Sequence, residues 1–236
     1  MSSISDNLQA VLADLQAAAR AVGRDPAEIR LLAVSKTFGI EAIVDAVQAG
    51  QRCFGENYVQ EALLKIQQAA TLMPMQPLEW HFIGPIQSNK TKAIAENFSW
   101  VHSVDREKIA ERLSAQRPPE LGALQICLQV NISGEASKSG VAPNDLLALA
   151  KSVLVLPNLT LRGLMAVPEA TDNAADQEQA FASIVSLKND LAAHGIIVDT
   201  LSMGMSADMP AAIAQGSTIL RIGSAIFGKR NYAHEI

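Results

Sequence analysis

The chain has 236 residues, 49% of them apolar and 4% aromatic, and a formal net charge of −5. That length allows one large α/β unit or two small ones, and a core of this size needs no disulfide or metal staple. A mild negative charge, with lysines and arginines scattered rather than striped, excludes a binder of nucleic-acid backbones.

Residues Ser5 to Val22 read as an amphipathic helix. Leu8, Val11, Leu12, Leu15 and Ala19 follow helical spacing, Ser5 or Asp6 can cap the start, and Gly23 stops it. From there strands and helices alternate. Strand Arg30–Ser35 leads to a helix over Ile40–Ala49, strand Arg52–Gly55 to a helix over Tyr58–Ala69, and strand Glu79–Ile83 to a helix over Lys90–Asn97. Strand Trp100–Val104 leads to a helix over Glu107–Ser114, after which Pro118-Pro119 marks a surface connection. Strand Leu124–Ile132 leads to a helix over Asp145–Val155, and strand Thr160–Val167 to a helix over Gln179–His194. Strand Thr200–Met203, a short helix over Met209–Ala214 and strand Ile219–Phe227 complete the pattern.

Strict alternation implies parallel strands with helical crossovers. Eight units in this length predict a closed (β/α)8 barrel, a single domain over 1–236 with an extra N-terminal helix. The competing architecture is an open doubly wound sheet. Its Gly-x-Gly-x-x-Gly turn is missing after the first strand, where Ser35-Lys36-Thr37-Phe38-Gly39 stands, and there is no P-loop. Met1 to Asp6 lack a basic region followed by an apolar stretch, so neither a signal peptide nor a membrane span is expected. Cys53 and Cys127 lie apart in apolar runs, which predicts buried, reduced thiols in a cytoplasmic protein.

Function in such a barrel collects at the C-terminal ends of the strands. Lys36 stands there after an apolar run, and an amine at the mouth of a packed core is a candidate nucleophile toward an aldehyde, forming a Schiff base. Barrels often hold phosphate with the loops after strands seven and eight, which here supply Gly204, Ser206, Gly223 and Ser224. Glycines admit backbone N–H groups to an anion, and hydroxyls add donors without bulk. Ser206 precedes a helix start at Ala207-Asp208-Met209, whose dipole favours an anion. Each of these residues is equally at home in ordinary turns and caps.

Arg221 interrupts an apolar strand and must meet a carboxylate or a ligand acceptor. Asn57 either orients a ligand or caps the following helix. His81, between Trp80 and Phe82, points inward, where a lone strand histidine is more often packed than catalytic; His102 reads the same way. Four dispersed histidines and two separated thiols make no metal set. Lys138, beyond strand five after Gly134, reads as a surface-loop residue.

Together these segments resemble one family. The resemblance is carried by Leu32-Ala33-Val34-Ser35-Lys36-Thr37, Phe54-Gly55-Glu56-Asn57-Tyr58-Val59-Gln60-Glu61 and the run from Trp80 to Lys90. Arg162-Gly163-Leu164-Met165, the run from Leu201 to Met209 and that from Arg221 to Gly228 add to it. They are similar to the pyridoxal phosphate homeostasis proteins. The resemblance implies a barrel like the N-terminal domain of alanine racemase, binding pyridoxal 5′-phosphate (PLP) as an aldimine of Lys36 and serving intracellular vitamin B6 homeostasis. It implies Ser206, Gly223 and Ser224 at the phosphate, Arg221 facing the pyridine nitrogen, and Asn57 and His81 lining the pocket near the cofactor. Members often carry Thr at the Ser224 position, and Phe38-Gly39-Ile40 match the family less well.

A PLP racemase needs acids and bases on both faces of the cofactor. The resemblance places the racemase's second base on a tyrosine from a second domain, whereas this chain is expected to be one domain with only Tyr58 and Tyr232. An arginine at the ring nitrogen also weakens the ring as an electron sink. The expectation is therefore a carrier or regulator that holds PLP and hands it to apo-enzymes, with no turnover, no nucleic acid and no membrane. The alternatives are a PLP enzyme such as a weak racemase, and a cofactor-free Schiff-base aldolase acting on a phosphorylated substrate.

Overall fold

Eight parallel strands close into a barrel in chain order, β1 next to β8. They are β1 (Arg30–Val34), β2 (Cys53–Glu56), β3 (Glu79–Phe82), β4 (Trp100–Val104), β5 (Leu124–Gln129), β6 (Leu159–Met165), β7 (Thr200–Ser202) and β8 (Ile219–Ile222). The computed structural model describes residues 3–133, 139–169, 171 and 173–228; Gly134, Lys138 and Tyr232 lie outside them. The helices between strands are α2 (Ile40–Gln48), α3 (Val59–Leu72), α4 (Thr91–Asn97), α5 (Glu107–Gln116), α6 (Leu146–Leu154), α7 (Ala174–Ala193) and α8 (Met209–Ala214). α1 (Ile4–Ala21) precedes β1, and α9 (Ser224–Phe227) follows β8.

Side chains alternate along each strand between two apolar layers. Leu32, Trp100, Cys127, Met165 and Ile219 fill the barrel interior. Leu31, Ala33, Phe54, Phe82 and Val101 face outward into the larger core beneath the helices. α1 buries Leu8, Val11, Leu15 and Ala19 against α2, α8 and α9, so it covers the place where the chain closes on itself. That closure is uneven: β1 and β8 share four registered pairs, β7 and β8 one, Ser202 with Ile219.

Several boundaries differ from the sequence pattern. α1 starts earlier, because Ser3 rather than Ser5 or Asp6 is the N-cap; Ser3 and Asp6 close a reciprocal capping box. α7 starts at Ala174, where the Asn173 side chain accepts from the Ala175 N–H, whereas its apolar stripe begins only near Gln179. The eighth strand ends at Ile222. Gly223 turns the chain, its carbonyl accepts from the Ile226 and Phe227 N–H groups, and Ala225-Ile226-Phe227 become α9. Their apolarity reflects burial against α1, which a strand and a helix end satisfy equally. Both cysteines are free thiols, but only Cys127 is fully buried; Cys53 is half-buried at the N-terminal mouth of the barrel.

Candidate functional site

At the C-terminal mouth a cavity of about 420 Å³ opens above the interior layer. Lys36, Asn57, Ser206, Arg221, Gly223 and Ser224 line it, with apolar walls from Val34, Ile83, Val167 and Met205. Six of the seven residues that the resemblance assigns to the cofactor thus meet at one place.

Lys36 is the second residue past β1, in a turn held on both sides. Thr37 adopts φ 69°, a left-handed conformation that non-glycine residues rarely take unless constrained. The constraint is a buried polar cluster. The Lys65 ammonium donates to the Ser35 carbonyl and to Glu56 Oε1, each at 2.8 Å, and also to Glu61. Ser35 Oγ donates to Glu56 Oε1 at 2.6 Å, and the Thr37 N–H donates to Glu61 Oε1 at 2.6 Å. The residues flanking Lys36 are therefore tied to β2 and α3. Burial pushes the Glu56 carboxyl up from its ordinary range, while the Lys65 charge pulls it back. In the sequence the clamp shows only as the i,i+4 spacing of Glu61 and Lys65, a pattern shared with solvent-exposed helix pairs.

Asn57 does not cap α3; Tyr58 occupies that position. Its Oδ1 is buried with no hydrogen-bond partner, on the cavity wall. Ser206 and Ser224 are exposed residues on the cavity lining. Gly204 (φ 95°) turns the chain between β7 and Ser206, and a Cβ there would sit 2.5 Å from that of Ala212. α8 and α9 span six and four residues, too short for a large macrodipole, so any anion here depends on local N–H and hydroxyl donors.

Arg221 rises from β8 at the cavity floor with no carboxylate partner among the described residues. Its Nη2 donates to the Ala166 carbonyl at 2.8 Å, and its Nη1 donates to the Ser202 carbonyl and, at 2.9 Å, to Ser202 Oγ. Burial pushes it down to about 10, so it stays charged at neutral pH.

His81 is the exception. It does not line the cavity but stands fully buried inside the barrel, stacked on Trp100 at 5.5 Å between ring centroids. Its Nε2 lies 2.7 Å from Glu79 Oε1 and its Nδ1 lies 2.8 Å from His102 Nε2. Inward pointing on β3 leads to the interior, not to the mouth. Burial lowers both imidazoles, His102 most. The fold also joins what looks scattered in sequence: potential ligand atoms of Cys53, Glu79 and His81 lie within 4.8 Å of one another. There the Glu79 oxygen already serves Arg30 and His81.

The sequence model for the N-terminal domain of alanine racemase matches residues 7–231. The chain is 60% identical to the pyridoxal phosphate homeostasis protein of Pseudomonas aeruginosa, covering 98% of each chain. It belongs to the pyridoxal phosphate homeostasis protein family. The family's member from Vibrio cholerae is 55% identical over 99% of each chain. Among solved structures, PipY of Synechococcus elongatus with PLP bound superposes with a TM-score of 0.79 at 37% identity, covering 92% of this chain and all of that one. In this member of the family, no described helix is long and apolar enough to cross a membrane.

Proposed function

We propose that this protein binds PLP in the C-terminal cavity and serves PLP homeostasis by holding the cofactor and releasing it to apo-enzymes. The observation that carries this is one amine, two hydroxyls, a guanidinium and an orphaned amide oxygen converging on a cavity of about 420 Å³, within the range of small-molecule sites. PLP supplies an aldehyde carbon that amines attack reversibly with loss of water. Lys36 is the residue that offers such an amine, held by the clamp around Ser35 and Thr37. Ser206, Ser224 and the backbone at Gly223 offer the phosphate its donors; a Cβ at Gly223 would lie 3.2 Å from the Val34 carbonyl oxygen, so the backbone is close-set there. Arg221 offers the ring nitrogen a permanent donor, which would keep that nitrogen unprotonated, and Asn57 lines the same cavity. His81 is withdrawn from the set that touches the cofactor.

The lining supports holding over turnover. Among the described residues on the cavity wall there is no carboxylate, imidazole or phenol to act as a second acid or base opposite Lys36. Tyr58 is exposed at the start of α3 and does not line the cavity.

The experiment is PLP titration followed by borohydride reduction and peptide mass mapping, with transfer to an apo-enzyme as the functional arm. The added mass should fall on Lys36 and vanish in Lys36→Ala. An unchanged adduct in that variant would remove Lys36 as the anchor. Racemisation of amino acids at ordinary enzymatic rates would replace the carrier reading with a catalytic one.

A further inference from the structure

A line of polar side chains crosses the barrel from one mouth to the other. It starts at Glu79 on β3, half-exposed at the N-terminal mouth, and ends at Arg221 under the cavity. Between them stand His81, His102 and Ser202, each fully buried. The links measure 2.7 Å from Glu79 Oε1 to His81 Nε2, 2.8 Å from His81 Nδ1 to His102 Nε2, 2.7 Å from His102 Nδ1 to Ser202 Oγ, and 2.9 Å from Ser202 Oγ to Arg221 Nη1.

The two ends dictate the order of donors. A guanidinium only donates, and an ionised carboxylate only accepts. Glu79 is held ionised by the His81 hydrogen bond and by Arg30. His81 therefore carries its hydrogen on Nε2. A neutral imidazole has one N–H, so His81 Nδ1 accepts, His102 Nε2 donates, and His102 Nδ1 accepts from the Ser202 hydroxyl. A charged ring would have to sit fully buried near Arg30 or Arg221, with Glu79 as the single carboxylate bonded to the line. Cys53, Arg30 and Arg162 are the other titratable or charged groups near the Glu79 end, and Asp208 and Cys127 those near Arg221. Every hydrogen in the line, that of Arg221 Nη1 on Ser202 Oγ included, then points away from the cavity.

We propose that Ser202, His102 and His81 are positioning residues for Arg221, forming one directed hydrogen-bond array that anchors the guanidinium to Glu79 across the barrel and presents no acidic hydrogen to the cavity. This rests on the reading of the cavity as a PLP site and deepens it: the array keeps a proton donor other than arginine from reaching the cofactor ring.

The test uses the full chain labelled with ¹⁵N-histidine, first without PLP. Removing His194 and His234, the other two of the four histidines, by substitution to Gln assigns the signals. His81 and His102 should both appear as neutral Nε2–H tautomers from about pH 6 to 8, the range in which an ordinary imidazole titrates. An Nδ1–H tautomer or a charged ring at neutral pH in either residue overturns the array. In the second arm Ser202→Ala should weaken PLP binding on the order of tenfold, the scale of a lost bond to a charged group, and shift the His102 signals. Ser217→Ala is the control, because that buried hydroxyl bonds only backbone carbonyls of the neighbouring strands; it should leave PLP affinity and both imidazoles unchanged. PLP affinity that survives Ser202→Ala, or falls equally in Ser217→Ala, overturns the positioning role. Wild-type protein that takes up no PLP would remove the cofactor reading itself, an outcome distinct from a failed tautomer assignment.

Discussion

Replacing Lys65 by Met tests the clamp behind the Lys36 turn. Met keeps the length of the side chain, which is 4% exposed, but removes the charge. Glu56, whose side chain is fully buried, would keep only Ser35 Oγ as a donor, and its Oε2 has no partner already. The carboxyl would then take up a proton rather than remain a bare buried charge. Starting from an ordinary value of 4.5, staying neutral at pH 7 spans roughly 2.5 pH units, or about 3 kcal/mol at 1.36 kcal/mol per unit. At pH 5 the same gap is roughly half a unit, or about 0.7 kcal/mol. The sign is fixed: a carboxyl raised in the folded state binds its proton more tightly than in the unfolded state, so stability falls as pH climbs above 4.5. Urea unfolding at both pH values should show Lys65→Met less stable than wild type by about 3 kcal/mol at neutral pH, a drop in Tm of roughly 6–12 °C for a chain of this size. The deficit should shrink on acidification, and adding Glu56→Gln should recover part of it. A loss below about 1 kcal/mol at neutral pH, or a deficit that grows on acidification, would refute the reasoning.

Three further outcomes are expected. Ser206→Ala with Ser224→Ala should weaken PLP retention by roughly tenfold or more, measured by absorbance titration, while leaving the unfolding midpoint within the small range of surface substitutions. Gly84→Ala places a Cβ 2.2 Å from the Asn57 carbonyl oxygen and 2.7 Å from its Cα; backbone cannot yield as a side-chain tip can, so it should cost about 1–3 kcal/mol and lower PLP affinity by displacing Asn57. Wild-type stability should fall as pH drops through 6.5, because His81 and His102 are both depressed in the fold and unfolding lets each take up a proton. Denaturation at several pH values should show that slope, and it should flatten in His102→Gln.

The architecture was legible because each crossover alternates an apolar strand with an amphipathic helix, a pattern set by local chemistry. Lys36, Ser206 and Ser224 were legible for a related reason: the strand count puts each of them at the C-terminal mouth, where such barrels gather polar groups. Strand alternation read His81 as inward and packed, which is where it stands; its place at the pocket came from the resemblance, and alternation does not tell how deep a side chain stands. Ser202 was invisible, since a serine beside Met203 and Gly204 has no pattern to betray a partner on β4. Glu56 and Lys65 depend on contacts between elements that only the closed barrel brings together. Strand eight ran too long because Ile226 and Phe227 are buried by a helix, α1, far away in sequence.

β7 and β8 share a single registered pair, the fewest between any two neighbouring strands of the barrel. Backbone bonds cross this seam from Thr218 to Leu201, from Met203 to Ile219 and from Arg221 to Gly204, and the Arg221 side chain adds bonds to the carbonyls of Ser202 and Ala166. The same arginine floors the cavity, so keeping the barrel shut and keeping a guest in place are one task. On the proposed reading, a guest that settles on Arg221 would tighten this seam, and its departure would make the strands beside the emptied site the first to loosen.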